Sequence, residues 1–176
     1  MRYTHPAIAL HWLMALLILA ALAMGIYMVD LRISPQKLRL YAWHKWIGVS
    51  VFALAVLRLG WRLYRPPPSA LPAPIWQHYL ARATHALMYL SFFVVPLSGW
   101  MFSSAKGIQT VYLGWLPLPD LVQKDDALAA MAKQVHLLAA YGLCALTSLH
   151  IAAVLKHQCL DRDATLHRML PFGGRG

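Results

Sequence analysis

The sequence predicts an all-α protein whose helices cross a membrane four times and pack as a bundle. Of the 176 residues, 60% belong to the apolar set AVILMFWYC, whereas soluble domains carry roughly 45–50% even with glycine counted. Charged residues make up 12%, about half of the usual ~25%. The mean hydropathy is +0.52, and four long apolar stretches follow one another along the chain. Together these observations exclude soluble enzymes and disordered chains.

Each of the four apolar stretches is long enough for one span. A hydrocarbon layer ~30 Å thick needs about 20 residues of helix, and only helices or closed barrels satisfy their backbone in lipid. The stretches are too long and too uniformly apolar for barrel strands. The predicted spans cover residues 7–29, 40–64, 79–103 and 132–155, within a single domain of residues 1–176.

The first stretch also has features of a secretory signal peptide, with Arg2 before it and the sequence Ala-Leu-Ala at 21–23. Its apolar part is longer than the about 7–15 residues of a typical signal core, and it contains the pair His11-Trp12. We therefore predict that it is retained as a span. The links between spans are residues 30–39, a proline-rich and rigid 65–74, and 105–131.

The basic residues predict how the chain is oriented. The net charge of +10 and the pI near 10 would suit nucleic acid, but the basic side chains are scattered beside apolar runs, as at a lipid surface. Of the 16 Lys and Arg residues, nine lie on one side: Arg2, Arg58, Arg62, Arg65, Arg82, Lys156, Arg162, Arg168 and Arg175. The other side has Arg32, Lys37, Arg39, Lys45, Lys106, Lys124 and Lys133. The side with nine, and both termini, are predicted to be cytoplasmic in a bacterial inner membrane.

Histidines recur inside the spans, where ionisable residues are functional candidates by default. The chain has nine histidines. By their positions along the spans, His44 and His136 form an outer layer. The inner layer contains His11, His85 and His150, and His157 lies at its boundary.

A 14-residue interval connects the two layers. Fourteen residues correspond to ~1400° of helix rotation, within ~40° of the same face, and to ~21 Å of rise. The interval occurs three times: from His136 to His150, from His44 to Arg58 and from His11 to Gly25. One face of the fourth span therefore presents an imidazole to each layer.

A four-helix bundle enclosing two stacked b haems explains this pattern, because each haem iron takes two axial imidazoles from different helices. The outer haem has the candidate ligands His44 and His136. The inner haem has three candidates. His11 and His150 lie on helix faces that the 14-residue interval connects to the other layer, whereas His85 has no such connection in the sequence. The chain lacks the Cys-x-x-Cys-His motif of covalently attached haem.

Small and basic residues on the same faces suit this arrangement. Gly25 and Gly48 would offer flat surfaces to a macrocycle. Arg58 lies at the inner level, where it would neutralise a haem propionate, and Arg62 one turn further could do the same.

Helix packing, a zinc site or a proton relay would account for the histidines less well. One histidine in a span often serves only as an interhelical hydrogen-bond partner, but four at two matched depths are harder to explain by packing. A zinc site would cluster imidazoles with Cys or carboxylates, and a proton relay would need Asp or Glu, which no predicted span contains. Cys144 and Cys159, ~22 Å apart along one helix, cannot form a disulfide.

Motifs along nearly the whole chain resemble the bacterial cytochrome b561 family, within the larger group of di-haem cytochrome b subunits of hydrogenases and formate dehydrogenases. The matching pieces are YTHPAIALHWL at 3–13, His44-Lys45 through Gly48, Arg58-Leu59 with Trp61-Arg62, PLSGW at 96–100, SAKG at 104–107, His136, His150 and DATLHRMLP at 163–171. The resemblance implies two b haems, bound by His11 with His150 and by His44 with His136. It leaves His85 as a non-ligand, either on the quinone or propionate side or as a hydrogen-bond partner of a neighbouring helix.

The family includes members that resemble superoxide oxidases. The resemblance therefore implies an oxidoreductase that moves electrons from superoxide at the outer haem to ubiquinone in the membrane. Lys45, which follows His44 and lies between Trp43 and Trp46, is the basic residue that we expect to guide superoxide. One alternative is a cytochrome b subunit that docks to a dehydrogenase and exchanges electrons with quinone. Another is a haem-free membrane protein such as a metal carrier or scaffold.

Overall fold

Four long helices make up the computed structural model, which describes residues 2–171. They are α1 (His5–Val29), α2 (Pro35–Tyr64), α3 (Ile75–Ala105) and α4 (Asp126–Lys156). Each predicted span lies inside one helix, and all four helices are long and apolar enough to cross a membrane. The predicted four-helix membrane bundle is thus confirmed. Arg175, one of the nine basic residues of the predicted cytoplasmic side, lies outside the described residues.

Local capping decides where the helices begin and end. α2 starts at Pro35, and the hydroxyl of Ser34 accepts the Lys37 N–H at 3.2 Å. The Asp125 carboxylate likewise accepts two N–H groups of the first turn of α4, at 2.9 and 3.0 Å. α3 ends where Gly107 adopts a φ of +68°, a conformation that suits glycine because it has no Cβ.

The helices pack in chain order. α3 packs most extensively against α4, α1 packs against α2, and α2 packs against α3, whereas α1 and α4 make no comparable contact among the described residues. The core is a layer of apolar side chains, namely Met14, Ile18, Val51, Ala55, Phe92 and Leu143. Leu143 lies midway between His136 and His150 along α4. The apolar core therefore lies between the outer and the inner histidine layer.

A small hairpin between α3 and α4 lies against the outer end of α2. Its strands, β1 (Val111–Tyr112) and β2 (Leu116–Pro117), pair antiparallel. The Trp46 indole donates to the Val111 carbonyl at 2.7 Å, and the Ser50 and Tyr112 hydroxyls are 2.9 Å apart. The sequence predicted only a loop here, because strands of two residues leave no readable alternation.

The chain after α4 returns to the start of α1. A π-helical turn at His157–Asp161 follows α4 directly. Further on, the Met169 carbonyl accepts the Trp12 indole N–H at 2.7 Å, and the Leu170 carbonyl accepts a hydrogen bond from Arg2. The C-terminal segment thus closes the inner end of the bundle.

Candidate functional site

The outer layer brings together His44 of α2 and His136 of α4. Their ring centres are 6.1 Å apart and the ring planes meet at 82°. Two imidazole nitrogens that bind one metal ion from opposite sides are about 4 Å apart, because each bond is about 2 Å long. Each ring centre lies farther from the metal than its nitrogen does, so ring centres 6.1 Å apart suit two ligands of one iron.

Hydrogen bonding from α3 fixes the His136 ring. Nδ1 of His136 lies 2.9 Å from the Val95 carbonyl and 3.5 Å from the Ser98 hydroxyl. Because a carbonyl can only accept, Nδ1 carries the proton and donates it to Val95. Nε2 of His136 is then unprotonated, which is the form that binds a metal.

Two glycines give the outer imidazoles room beside neighbouring helices. A Cβ added at Gly99 would lie 3.0 Å from both Cε1 and Nδ1 of His136, and one at Gly25 would lie 3.3 Å from Cε1 of His44. Gly25 therefore borders a histidine ring rather than only a flat surface for a macrocycle. A Cβ at Gly48 would meet no atom within 4 Å, so that face of α2 is open. Gly99 belongs to the PLSGW motif but was missed as a site residue, because its role depends on a contact between α3 and α4.

The inner layer contains three histidines in close contact. The ring centres of His11 and His150 are 6.2 Å apart at an angle of 71°. His85 is nearer, with its ring centre 5.6 Å from that of His150. The separation of His11 and His150 almost equals that of the outer pair, whereas His85 lies closer to His150.

Two arginines of α2 reach the inner layer. Nη2 of Arg58 lies 3.1 Å from Nδ1 of His11, and the guanidinium groups of Arg58 and Arg62 lie 5.6 and 5.7 Å from the Tyr89 ring centre. Tyr89 was missed as a site residue, because an aromatic residue one turn from His85 is indistinguishable from core in the sequence. The ring stacks with both cations and keeps them at the inner level.

The contact between Arg58 and His11 bears on ligation. A guanidinium has only donors, so Nδ1 of His11 must accept and the proton lies on Nε2. Axial ligation through Nε2 requires the opposite tautomer. The hydrogen bond from Arg58 and ligation by His11 Nε2 are therefore alternatives, and Arg58 would have to release His11 if that nitrogen were to bind a metal.

Taken as a donor set, these residues fit b-type haem. The two pairs each offer imidazoles from different helices with matching ring separations. Nδ1 of His44 is buried without a hydrogen-bond partner among the described residues. The helices that carry each pair, α2 with α4 and α1 with α4, do not pack extensively against each other among the described residues.

The structure places the predicted outer cation beside α3. Nζ of Lys45 donates to the hydroxyl of buried Ser103 at 2.9 Å. Lys45 is itself only partly exposed. The ammonium is thus fixed at the end of α3, near the hairpin, rather than extended into solvent.

Comparison with known proteins gives consistent matches over the whole fold. The family model for prokaryotic cytochrome b561 matches residues 2–172. Cytochrome b561 homolog 2 of Escherichia coli is 34% identical, over 96% of this chain and 91% of the relative. A protein of Yersinia pestis named "Probable superoxide oxidase CybB" is 30% identical, over 97% of this chain and 96% of its own. Cytochrome b561 homolog 1 of Escherichia coli is 28% identical, over 97% of each chain.

Proposed function

Because the chain belongs to the prokaryotic cytochrome b561 family, we propose that it is a di-haem oxidoreductase that takes electrons from superoxide and delivers them to ubiquinone. The observation that carries the proposal is the pair of histidine contacts, with ring centres 6.1 and 6.2 Å apart. The contacts lie at two depths that are ~21 Å apart along α4. One b haem at each depth would supply one-electron transfer across most of the bilayer.

The histidines would bind the haems in this proposal. His44 and His136, the outer pair, would hold one haem, and His11 and His150, the inner pair, would hold the other. Two imidazoles for each haem would leave its iron no open position for oxygen, so the haem would supply electron transfer without binding superoxide at the metal. The Val95 carbonyl orients His136 by accepting its Nδ1 proton.

The basic residues of α2 have two roles in this proposal. Arg58 and Arg62 would neutralise haem propionates at the inner level, and Tyr89 would hold both guanidinium groups there. Lys45 would attract superoxide at the outer level, with its position fixed by Ser103. His85, in contact with His150, would lie beside the inner haem without binding its iron.

Electrons and protons balance in this reaction. Two superoxide anions each lose one electron and become dioxygen, and one ubiquinone takes up two electrons and two protons to become ubiquinol. The similarity to a relative named as a probable superoxide oxidase supports superoxide as the donor. The distribution of basic residues supports a bacterial inner-membrane location with both termini in the cytoplasm.

The decisive experiment exposes the purified full-length protein to an enzymatic source of superoxide and follows the b-type α-band. We expect rapid haem reduction that superoxide dismutase abolishes, followed by reoxidation when a soluble ubiquinone analogue is added. Reduction only in the presence of a co-purified dehydrogenase would instead identify a cytochrome b subunit of a larger complex. A reduced-minus-oxidised spectrum without an α-band would refute haem binding altogether.

A further inference from the structure

A second group of metal-ligating side chains lies beyond the histidine layers, where α4 ends. It consists of His157, Asp161 and Asp163, which we call the α4-terminal cluster. Within residues 2–171 it is the only group of three or more His, Cys, Asp or Glu side chains whose ligand atoms all lie within 4.8 Å of one another. None of its members belongs to the proposed haem sites.

The donor atoms converge on one nitrogen. Nδ1 of His157 lies 2.7 Å from Oδ2 of Asp163 and 3.1 Å from Oδ2 of Asp161. Two ligand atoms bound to one zinc ion at about 2 Å, at a tetrahedral angle, are about 3.3 Å apart. To share one cation, Nδ1 of His157 would need to lie about 0.6 Å farther from Oδ2 of Asp163 and about 0.2 Å farther from Oδ2 of Asp161. The ligand atoms of the two carboxylates already lie within 4.8 Å of each other.

The backbone makes this convergence possible. The π-helical turn at His157–Asp161 ends at Arg162, which has a φ of +53°. This turn brings Asp163 back over His157, and the Asp163 N–H donates to the His157 carbonyl at 3.2 Å. An uninterrupted α-helix would carry Asp163 away, because six residues correspond to ~600° of rotation and ~9 Å of rise.

Two features lie beside the cluster. Oε1 of Gln158, a partly buried residue next to His157, has no hydrogen-bond partner among the described residues, although buried polar atoms nearly always have one. Gln158 and Asp163 line the same open cleft of about 470 Å³, together with Arg162, Ala164 and His167. Asp163, but neither His157 nor Asp161, lines this cleft, which has room for water molecules that would complete a coordination shell on the Asp163 side.

The charges suit a cation. The Asp163 carboxylate is held in place by the Thr165 N–H, which donates to Oδ1 at 2.7 Å, while Oδ2 lies 2.7 Å from Nδ1 of His157. Asp161 also accepts Nζ of Lys156 at 2.6 Å. A carboxylate has a second oxygen to which that ammonium can shift.

We propose that the α4-terminal cluster is a binding site for a divalent transition-metal ion of the zinc type. One imidazole nitrogen and two carboxylate oxygens form a donor set that suits such ions. On binding, the ion would take the place of the proton on Nδ1 of His157. The site is independent of the proposed superoxide reaction, and a failure of either proposal leaves the other standing.

The test is calorimetric titration of the untagged full-length protein in detergent with Zn²⁺. We expect one saturable site whose affinity falls at least about 10-fold in His157→Ala and in the nearly isosteric Asp163→Asn. His78→Ala, which removes a histidine from α3, and Asp126→Asn, which removes an exposed carboxylate, serve as matched controls and should bind as the wild type does.

Thermal unfolding supplies a second measurement that does not depend on His157→Ala folding normally. Zn²⁺ should raise the melting temperature of the wild type but not that of Asp163→Asn. Equal zinc binding by the wild type and both cluster variants would overturn the proposal. So would the absence of any saturable site.

Discussion

Replacing Gly99 by alanine tests the link between α3 and the outer pair. The added Cβ would lie 3.0 Å from Cε1 and Nδ1 of His136, where ordinary contacts begin at 3.4 Å. The ring must therefore retreat by about 0.4 Å or more. Because the Val95 carbonyl is on the same helix as Gly99, this retreat also lengthens the 2.9 Å hydrogen bond from His136.

The size of the effect follows from that hydrogen bond. At about 3.3 Å the bond lies beyond the usual N–H···O range, and its loss costs about 0.5–1.5 kcal/mol. Loss of a hydrogen bond to a metal-bound histidine lowers metal affinity about 10- to 100-fold. We expect the outer haem to dissociate from Gly99→Ala under dilution while the inner haem stays bound.

The assay is haem content per chain by pyridine haemochrome, together with reduced-minus-oxidised spectra, before and after dilution. Gly142→Ala is the matched control, since Gly142 is exposed on α4 and a Cβ there would meet no atom within 4 Å. Equal retention of both haems by the two variants would refute the proposed function of Gly99.

Three further predictions concern ligation, attraction of the donor and helix capping. Alanine at either member of the outer pair should leave one haem per chain, and so should alanine at either member of the inner pair. Two haems per chain in any of these variants would contradict the assignment of the ligands. Lys45→Met should slow haem reduction by superoxide about threefold to tenfold and weaken its dependence on ionic strength, whereas stopped-flow rates for the exposed Lys124→Met should match the wild type. Asp125→Ala should destabilise the protein by about 0.5–2 kcal/mol in chemical unfolding. Asp126→Ala, which breaks an exposed ion pair with Lys106, should unfold almost as the wild type does. Equal losses of unfolding free energy in the two variants would argue against capping by Asp125.

The sequence predicted the helices well because apolar length is a property of each segment alone. The depth of His44 and His136 could likewise be deduced, since helix rise is constant and both spans are uninterrupted. The contact partners of those rings could not be deduced. Gly99 and Val95 meet His136 only because α3 packs against α4, and no spacing within α4 encodes that packing.

The α4-terminal cluster shows the same limit. A regular helix through His157 would separate it from Asp163, and the π-helical turn that joins them has no clear signal in the sequence. The resemblance to known cytochromes rests on motifs that follow one another along the chain, and it implied how the four histidines pair. It did not supply the contact between Arg58 and His11, which depends on how α1 and α2 cross.

The apolar core between the two layers also has an electrical consequence. The ~21 Å between His136 and His150 along α4 is about two thirds of a ~30 Å hydrocarbon layer, and the side chains that fill it, such as Leu143 and Phe92, carry no charge. Because this apolar layer admits no ions, a charge that crosses it is not compensated and moves through part of the membrane voltage. In the proposed direction, each electron would move against an inside-negative voltage at a cost of about 1.5 kcal/mol per 100 mV. A highly energised membrane would therefore slow the oxidation of superoxide, and depolarisation would accelerate it.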